Sequence, residues 1–238
     1  MPAQSTTTQK VAEQAATRTP ATADSAPGKR EERRQAIIEA AARLFAEQGY
    51  TACEMERVAA ELGIAKGTLY LYFSSKEALF YACVDAGMKQ MQSAVLQAAD
   101  EANNPVDRIA RGIRAYLQFF EDHPEHVELL IQERANFKGR SRPTYFEYRD
   151  QNREKWRPVH EEMIATGRYR GDIPVERIMD AIGNLLYGTM FTNHFVGRAV
   201  SLNEQYQSLL EILMRGLLSE EERAAQAHQP LTVQGEAK

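Results

Sequence analysis

The sequence predicts an all-α protein of about nine helices, and three observations carry the prediction. Between Pro27 and Pro105 there is no proline, so nothing in that stretch forbids a helix. Apolar residues recur at three- and four-residue intervals, the spacing of one helical face. Nowhere do β-branched and aromatic residues alternate between turn residues for the length of a strand.

Taken in order, residues 1–29 hold no aromatic side chain and only Met1 and Val11 as large aliphatics. Such a segment has too little apolar surface to offset its ordering entropy, and it is expected to be a disordered arm. Lys10, Arg18, Lys29 and Arg30 could let it trail along DNA; a solvated tail without a role is the other reading. From Arg30 a first helix follows, with Ile37, Ile38, Ala41, Leu44 and Phe45 on one face and Gly49 as its stop. Met55, Val58, Ala59 and Leu62 repeat the pattern over a shorter length, ended by Gly63. Leu69 and Phe73 edge a third, very short helix. Leu79, Phe80, Cys83, Val84, Met91 and Val95 line a fourth that runs to about Asp100.

The helix starts have a chemistry of their own. In Ser/Thr-x-x-Glu the hydroxyl accepts from an orphan backbone N–H and the glutamate reaches back, and Thr51/Glu54, Ser74/Glu77, Thr144/Glu147 and Ser201/Glu204 all fit. Asn104-Pro105 and His123-Pro124 add two starts with proline at the first helical position. The later helices are therefore expected at 105–121, 124–136, 144–166, 175–198 and 202–219, with 167–172 a loop. The implied organisation is an arm (1–29), a first domain (30–77), a second helical domain (78–222) and a frayed tail (223–238).

Composition limits the function. With 29 Lys plus Arg against 33 Asp plus Glu the formal charge is −4, which argues against a protein that coats nucleic acid broadly but leaves room for a local basic site. At 43% hydrophobic and 26% charged residues the chain matches ordinary globular usage, which excludes a wholly disordered, collagen-like or membrane-embedded protein. No apolar run approaches the roughly 18 residues that span a bilayer, and the N-terminus has no secretory pattern, so a cytoplasmic protein without membrane partners is expected. Cys53 and Cys83 are the only cysteines, too few for a disulfide scaffold or a multi-cysteine metal site.

Residues 51–73, TACEMERVAAELGIAKGTLYLYF, read as a helix, a glycine turn and a second short helix, packed on the longer first helix. Ala59 and Ala60 allow close crossing, Gly63 makes the turn and Ile64 plugs the core. That arrangement offers a recognition helix to the major groove. Its outer face keeps Lys66, Gly67, Thr68, Tyr70, Leu71 and Tyr72, an odd mixture for a merely solvated surface. Gly67 permits close backbone approach, the hydroxyls can bond base edges or phosphates, Leu71 can touch a thymine methyl, and Lys66 and Lys76 supply charge.

The run from Arg33 to Phe80 resembles the DNA-binding domain of the TetR/AcrR family of bacterial transcriptional regulators. The likeness rests on Ala41, Leu44, Phe45, Gly49, Tyr50, Val58, Ala59, Gly63, Lys66-Gly67-Thr68-Leu69-Tyr70, Phe73 and Lys76-Glu77-Leu79. It implies a homodimer on a palindromic double-stranded operator, with a divergent helical domain that binds a small effector and releases DNA. Lys66, Gly67, Thr68, Tyr70, Leu71, Tyr72 and Lys76 become the implied DNA contacts, with Tyr72 and Lys76 mainly on phosphate. Arg57 joins them as partial balance for Glu54 and Glu56, which bring negative charge toward that face. Cys53 and Ala65 stand where the family commonly has Thr and Ser, so two hydroxyls that could cap a helix or bond phosphate are missing; Thr51 with Glu54 is expected to restore the first cap. Strongly salt-dependent DNA binding follows as an expectation.

Other residues admit two readings. Cys53 near a helix start could be a redox-sensitive thiolate or a small residue filling the site, and Glu54 and Glu56 oppose the anion. Cys83 reads as core. His123 and His126 have a spacing that could hold metal, but with no cysteine partner and with His-Pro explained as a helix start, no metal site is assigned. Tyr116, Phe119, Phe120, Tyr145, Phe146, Tyr148, Trp156, Met190 and Phe191, mixed with Arg134, Asn193 and His194, read as core or as an apolar ligand pocket. Tyr116, Phe120, Trp156, Met190 and Asn193 are the ligand candidates. Ile178, Ile182, Leu185, Leu186, Leu209, Leu210, Ile212, Leu213 and Leu217, interleaved with Gly183, Gly188 and Gly216, suggest a face for a second copy.

No nucleophile elbow, zinc helix or dinucleotide fingerprint occurs, so no enzyme activity and no cofactor are expected. The reading is a ligand-responsive regulator, a repressor in sign, in which effector bound among the fifth to eighth helices displaces the fourth and respaces the two recognition helices. A helical interaction module without sequence-specific DNA binding is the alternative.

Overall fold

The computed structural model describes residues 27–226, so the expected arm before Pro27 and the end of the tail after Gln226 lie outside it. Contacts divide the chain between Ala36 and Ile37: the first unit contributes only the opening turns of the first helix, and the second holds everything considered below. Among the described residues ten helices form: α1 Pro27–Gln48, α2 Met55–Glu61, α3 Lys66–Tyr72, α4 Lys76–Asp100, α5 Pro105–Asp122, α6 Pro124–Asn136, α7 Thr144–Ala165, α8 Val175–Val196, α9 Leu202–Leu217 and α10 Glu220–Gln226. The only pairing of extended type among them is an isolated bridge between Tyr169 and Leu218.

The apolar stripes fold as their spacing dictates. Ile37, Ile38, Ala41, Leu44 and Phe45 are buried on α1, and Met55, Val58, Ala59, Leu69 and Phe73 close over them from α2 and α3. Gly49 (φ 83°) and Gly63 (φ 62°) adopt the left-handed conformation that a side chain disfavours, so each stops its helix and reverses the chain. At its start α4 adds Leu79 and Phe80 to this core, and further along Met88, Met91 and Val95 continue the same buried cluster to α5, α7 and α8. Its 25 residues reach about 37 Å, so one helix runs from the part of the core under α3 to the part among the later helices.

Expected and observed helix limits agree to within about two residues from α5 to α9, but the caps correct several starts. Ser201 forms the full capping box with Glu204, and Asn104 accepts from Asp107 N ahead of Pro105, as the pattern predicts. Thr51 does not cap α2: the N-cap is Glu54, without a side-chain bond, and the Thr51 hydroxyl bonds Asn136 of α6 instead. At α4 the cap is Ser75 rather than Ser74. Thr144 is already inside α7, and its hydroxyl donates to Glu133 at 2.8 Å. The first helix begins at Pro27, three residues before the expected Arg30, and residues 220–226 are helical where the tail was expected to fray from 223.

Candidate functional site

The reading head presents α3 at the surface. Leu69 alone on that helix is buried, anchoring it, while Gly67, Tyr70 and Leu71 face outward; Leu71 is 71% exposed. An exposed leucine and tyrosine stand beside a glycine with open space above its Cα, and the Tyr70 ring has the Lys66 ammonium 5.9 Å from its centroid. Thr68 and Tyr72 are half-buried at the edges of this face, and Arg57 is exposed on α2.

Two of the expected cations are engaged within the protein. Lys66 forms an ion pair with Glu56 on α2, the pairing that lowers the Glu56 carboxyl and raises the Lys66 ammonium from their ordinary ranges. Lys76 donates to Thr51 O at 3.0 Å and lies 4.8 Å over the Tyr50 ring, so it is held at the start of α4 beside α3. Both α2 and α3 begin without a side-chain cap, at Glu54 and Ala65. Cys53 is buried in the head's core and burial pushes its thiol up, which removes the reactive-thiolate reading.

Behind the head, α6 closes on α1. Gln132 is buried and donates to Phe45 O at 2.8 Å, while Tyr50, Phe80, Tyr81 and Phe137 form an aromatic cluster with centroid separations of 4.8–6.2 Å. Glu133, one residue on, is buried and satisfied by Arg140, by Thr144 N and by the Thr144 hydroxyl. Buried polar groups that are fully bonded fix a single arrangement, so the end of α6 is locked to the start of α7.

Two cavities open among the helices from α4 to α8. The first, about 880 Å³ with its mouth, is bounded by α4 (Met91, Val95), α5 (Ile109, Gly112, Ile113, Tyr116), α7 (Tyr145, Arg149, Asn152, Arg153, Trp156, His160) and α8 (Met179, Asp180, Ile182, Gly183, Leu186). The second, about 440 Å³, lies toward the ends of α5 and α8 and includes Phe120, Glu121, Met190, Asn193 and His194. Tyr116 is in both walls; its hydroxyl shares a hydrogen bond with that of Tyr145 at 2.9 Å and reaches Met190 Sδ at 3.6 Å.

The five ligand candidates therefore do not form one group. Tyr116 and Trp156 line the first cavity, whereas Phe120, Met190 and Asn193, with Tyr116, line the second. The Asn193 amide is also committed, exchanging both bonds with Gln205 at 2.8 and 2.9 Å. Arg134 is exposed on α6 and lines neither. Trp156 fits because α5 has Gly112 opposite it, where a Cβ would stand 2.6 Å from the indole. Arg149, Asn152 and His160 were not anticipated; only their spacing from Trp156 on α7, seven residues for Arg149 and four for Asn152 and His160, signals a shared face.

Burial pushes the His160 imidazole down to about 4 and holds it neutral in the wall. Burial raises the Tyr116 hydroxyl, and it pushes that of Tyr145 up to about 12. His126 stacks on Phe119 over Gly87 and its ring is likewise held below its ordinary pKa by burial. Among the described residues no cluster of metal-ligating side chains forms, and no helix is long and apolar enough to cross a membrane.

The expected partner face is split. Ile178, Ile182, Leu210 and Leu217 are buried within the chain, while Phe195, Val196 and Ile212 are 66–79% exposed near the ends of α8 and on α9.

Comparison with known proteins adds independent findings. Residues 37–83 match the family model described as bacterial regulatory proteins, tetR family, and residues 102–189 match that for a tetracyclin repressor-like C-terminal domain. The HTH-type transcriptional repressor KstR2 of Mycobacterium tuberculosis is 26% identical over 198 residues, 83% of this chain and 98% of that protein. An uncharacterized HTH-type transcriptional regulator of Bacillus subtilis, YerO, is 31% identical over 117 residues, and the match spans 48% of this chain and 40% of that one. Among solved structures, KstR2 superposes with a TM-score of 0.60 at 25% identity, covering 79% of this chain and 96% of that one. FadR from Bacillus subtilis, solved in complex with stearoyl-CoA, gives 0.63 at 21% identity, covering 76% and 98%, and shares the fold.

Proposed function

The chain belongs to the TetR family of bacterial regulatory proteins, and from that premise we propose that it is a cytoplasmic, homodimeric repressor released from a palindromic operator by a small, largely apolar effector. Residues 30–77 act as the reading head and 78–222 as the sensing and dimerising part; the protein is a regulator and not a catalyst. The outward side chains of α3, chiefly Gly67, Thr68, Tyr70 and Leu71, meet the major groove, with Tyr72, Lys76 and Arg57 toward phosphates. The exposed apolar residues of α8 and α9 supply the partner face, since two heads are needed for a two-fold operator.

One observation carries this reading: α4 packs Leu79 and Phe80 into the head and lines the effector cavity with Met91 and Val95. A ligand that wedges α4 away from α7 shifts the end of the same rod that supports α3. Effector and operator then weaken each other by the same factor, as linkage requires. The relatives agree in kind, since KstR2 is named a repressor and the FadR structure holds stearoyl-CoA.

The test is selection of genomic DNA fragments by the purified protein, repeated with Tyr70→Ala. A palindromic site recovered by the wild type and lost by the variant is the expected result. Recovery of no site by a folded dimer would overturn the reading and favour an interaction module that does not read sequence.

A further inference from the structure

The first cavity is apolar over most of its wall, yet it contains a cation, Arg149, that makes no ion pair among the described residues. Arg149 projects from α7 with its guanidinium 4.8 Å over the Phe146 ring. Its Nη1 donates to the neutral amide oxygen of Asn184 at 3.2 Å, and its Nε is buried without a hydrogen-bond partner. Arg153 and Asp180, in the same wall, form a 2.5 Å ion pair, and the Asp180 carboxyl is held low by Arg153 first and by Arg149 after it, so one carboxylate stands against two guanidinium groups. His160 adds no charge, and its buried Nδ1 is also without a partner. The wall therefore carries one positive charge in excess, beside unsatisfied polar atoms.

Leaving a buried guanidinium N–H unbonded is costly, so the group calls for a partner, which a bound ligand or an ordered water can supply. Resting on the effector reading above, we propose that the effector is an apolar acid with a single anionic group, a carboxylate, that seats on Arg149. Its hydrocarbon body lies against Trp156, Ile113 and Met179. A carboxylate accepts from a guanidinium donor in a charge-assisted bond stronger than the present one to the neutral Asn184 amide. Asp180 works against a ligand with several negative charges, so the free acid is preferred to a coenzyme A thioester, whose charge is multiple and carried on phosphates.

The experiment uses the full-length protein and the emission of Trp156, its only tryptophan. The probes are saturated acids of increasing length and alicyclic carboxylic acids, each paired with the alcohol of the same skeleton and with its coenzyme A thioester. At least one acid is expected to bind about tenfold or more tighter than its alcohol, the scale of a charge-assisted bond. Arg149→Met should abolish that preference by weakening the acid far more than the alcohol, and Arg149→Lys should restore part of it. Equal affinity of acid and alcohol, a preference that survives Arg149→Met, tighter binding of the thioester, or no binding by any acid would each overturn the assignment. Binding is read without DNA, so an acid that binds through Arg149 and leaves operator affinity unchanged would instead refute release by effector and leave the anion site standing.

Discussion

Lys66 opens the recognition helix, yet its ammonium is occupied by Glu56. Solvent screens an exposed pair of this kind, so it adds little to folding and matters mainly to DNA. Each lysine placed on a phosphate releases a counterion, and the Glu56 carboxylate both ties the lysine down and repels the backbone. Glu56→Gln is expected to tighten operator binding several-fold at low salt and to steepen the salt dependence by about one released ion. Anisotropy titrations across a salt series check this, and an unchanged slope would mean that Lys66 does not reach a phosphate. His160 acts on folding instead. Its native pKa is about 4 against an ordinary 6.5, so below pH 6.5 the unfolded chain gains a proton that the folded one refuses. The stabilisation is complete above that pH and drains away as the pH falls toward 4. Acidification from pH 7 to 4.5 should cost about 2 kcal/mol through this residue, and denaturant titrations of His160→Leu should show a slope flatter by that amount.

Within the reading head α3 is the least secured helix, with seven residues, one buried anchor and a cap position filled by Ala65 in the extended conformation that a cap requires. Ala65→Ser should stabilise the protein by about 1 kcal/mol in thermal melts and leave the fold unchanged. Which elements were legible in the sequence follows from what competes for their polar groups. Ser201 and Asn104 have only local partners, and their helices start where the pattern says. The Thr51 and Thr144 hydroxyls are claimed by Asn136 and Glu133, residues far along the chain, and a local motif carries no record of such a partner. The cavity divides the same way. Its aromatic wealth is visible as composition and points to Tyr116 and Trp156, but the charge excess at Arg149 depends on Arg153 being matched by Asp180 from another helix. Phe120, Met190 and Asn193 have the same character and line the second cavity, with Tyr116 in the wall of both.

For the whole molecule the prediction concerns assembly. Ile212 is 69% exposed on a helix otherwise well packed against α5, as the burial of its neighbours Tyr206, Leu210 and Met214 shows. Ile212→Glu should convert a dimer to a monomer in sedimentation experiments at micromolar concentration, with loss of operator binding and little change in helix content. A dimer that survives the substitution would place the partner face elsewhere. One further property of the whole lies in the bond from Gln132 to the head. Its acceptor is the main-chain carbonyl of Phe45, which any residue at that turn of α1 would provide. That one bond is thus indifferent to side-chain identity on the head's side, whereas the contacts of Tyr50 with Phe137 and of Thr51 with Asn136 are not. Reading heads of other sequence can be grafted onto this sensor with that bond intact, and over evolutionary time operator preference is free to drift while the sensing half stays as it is.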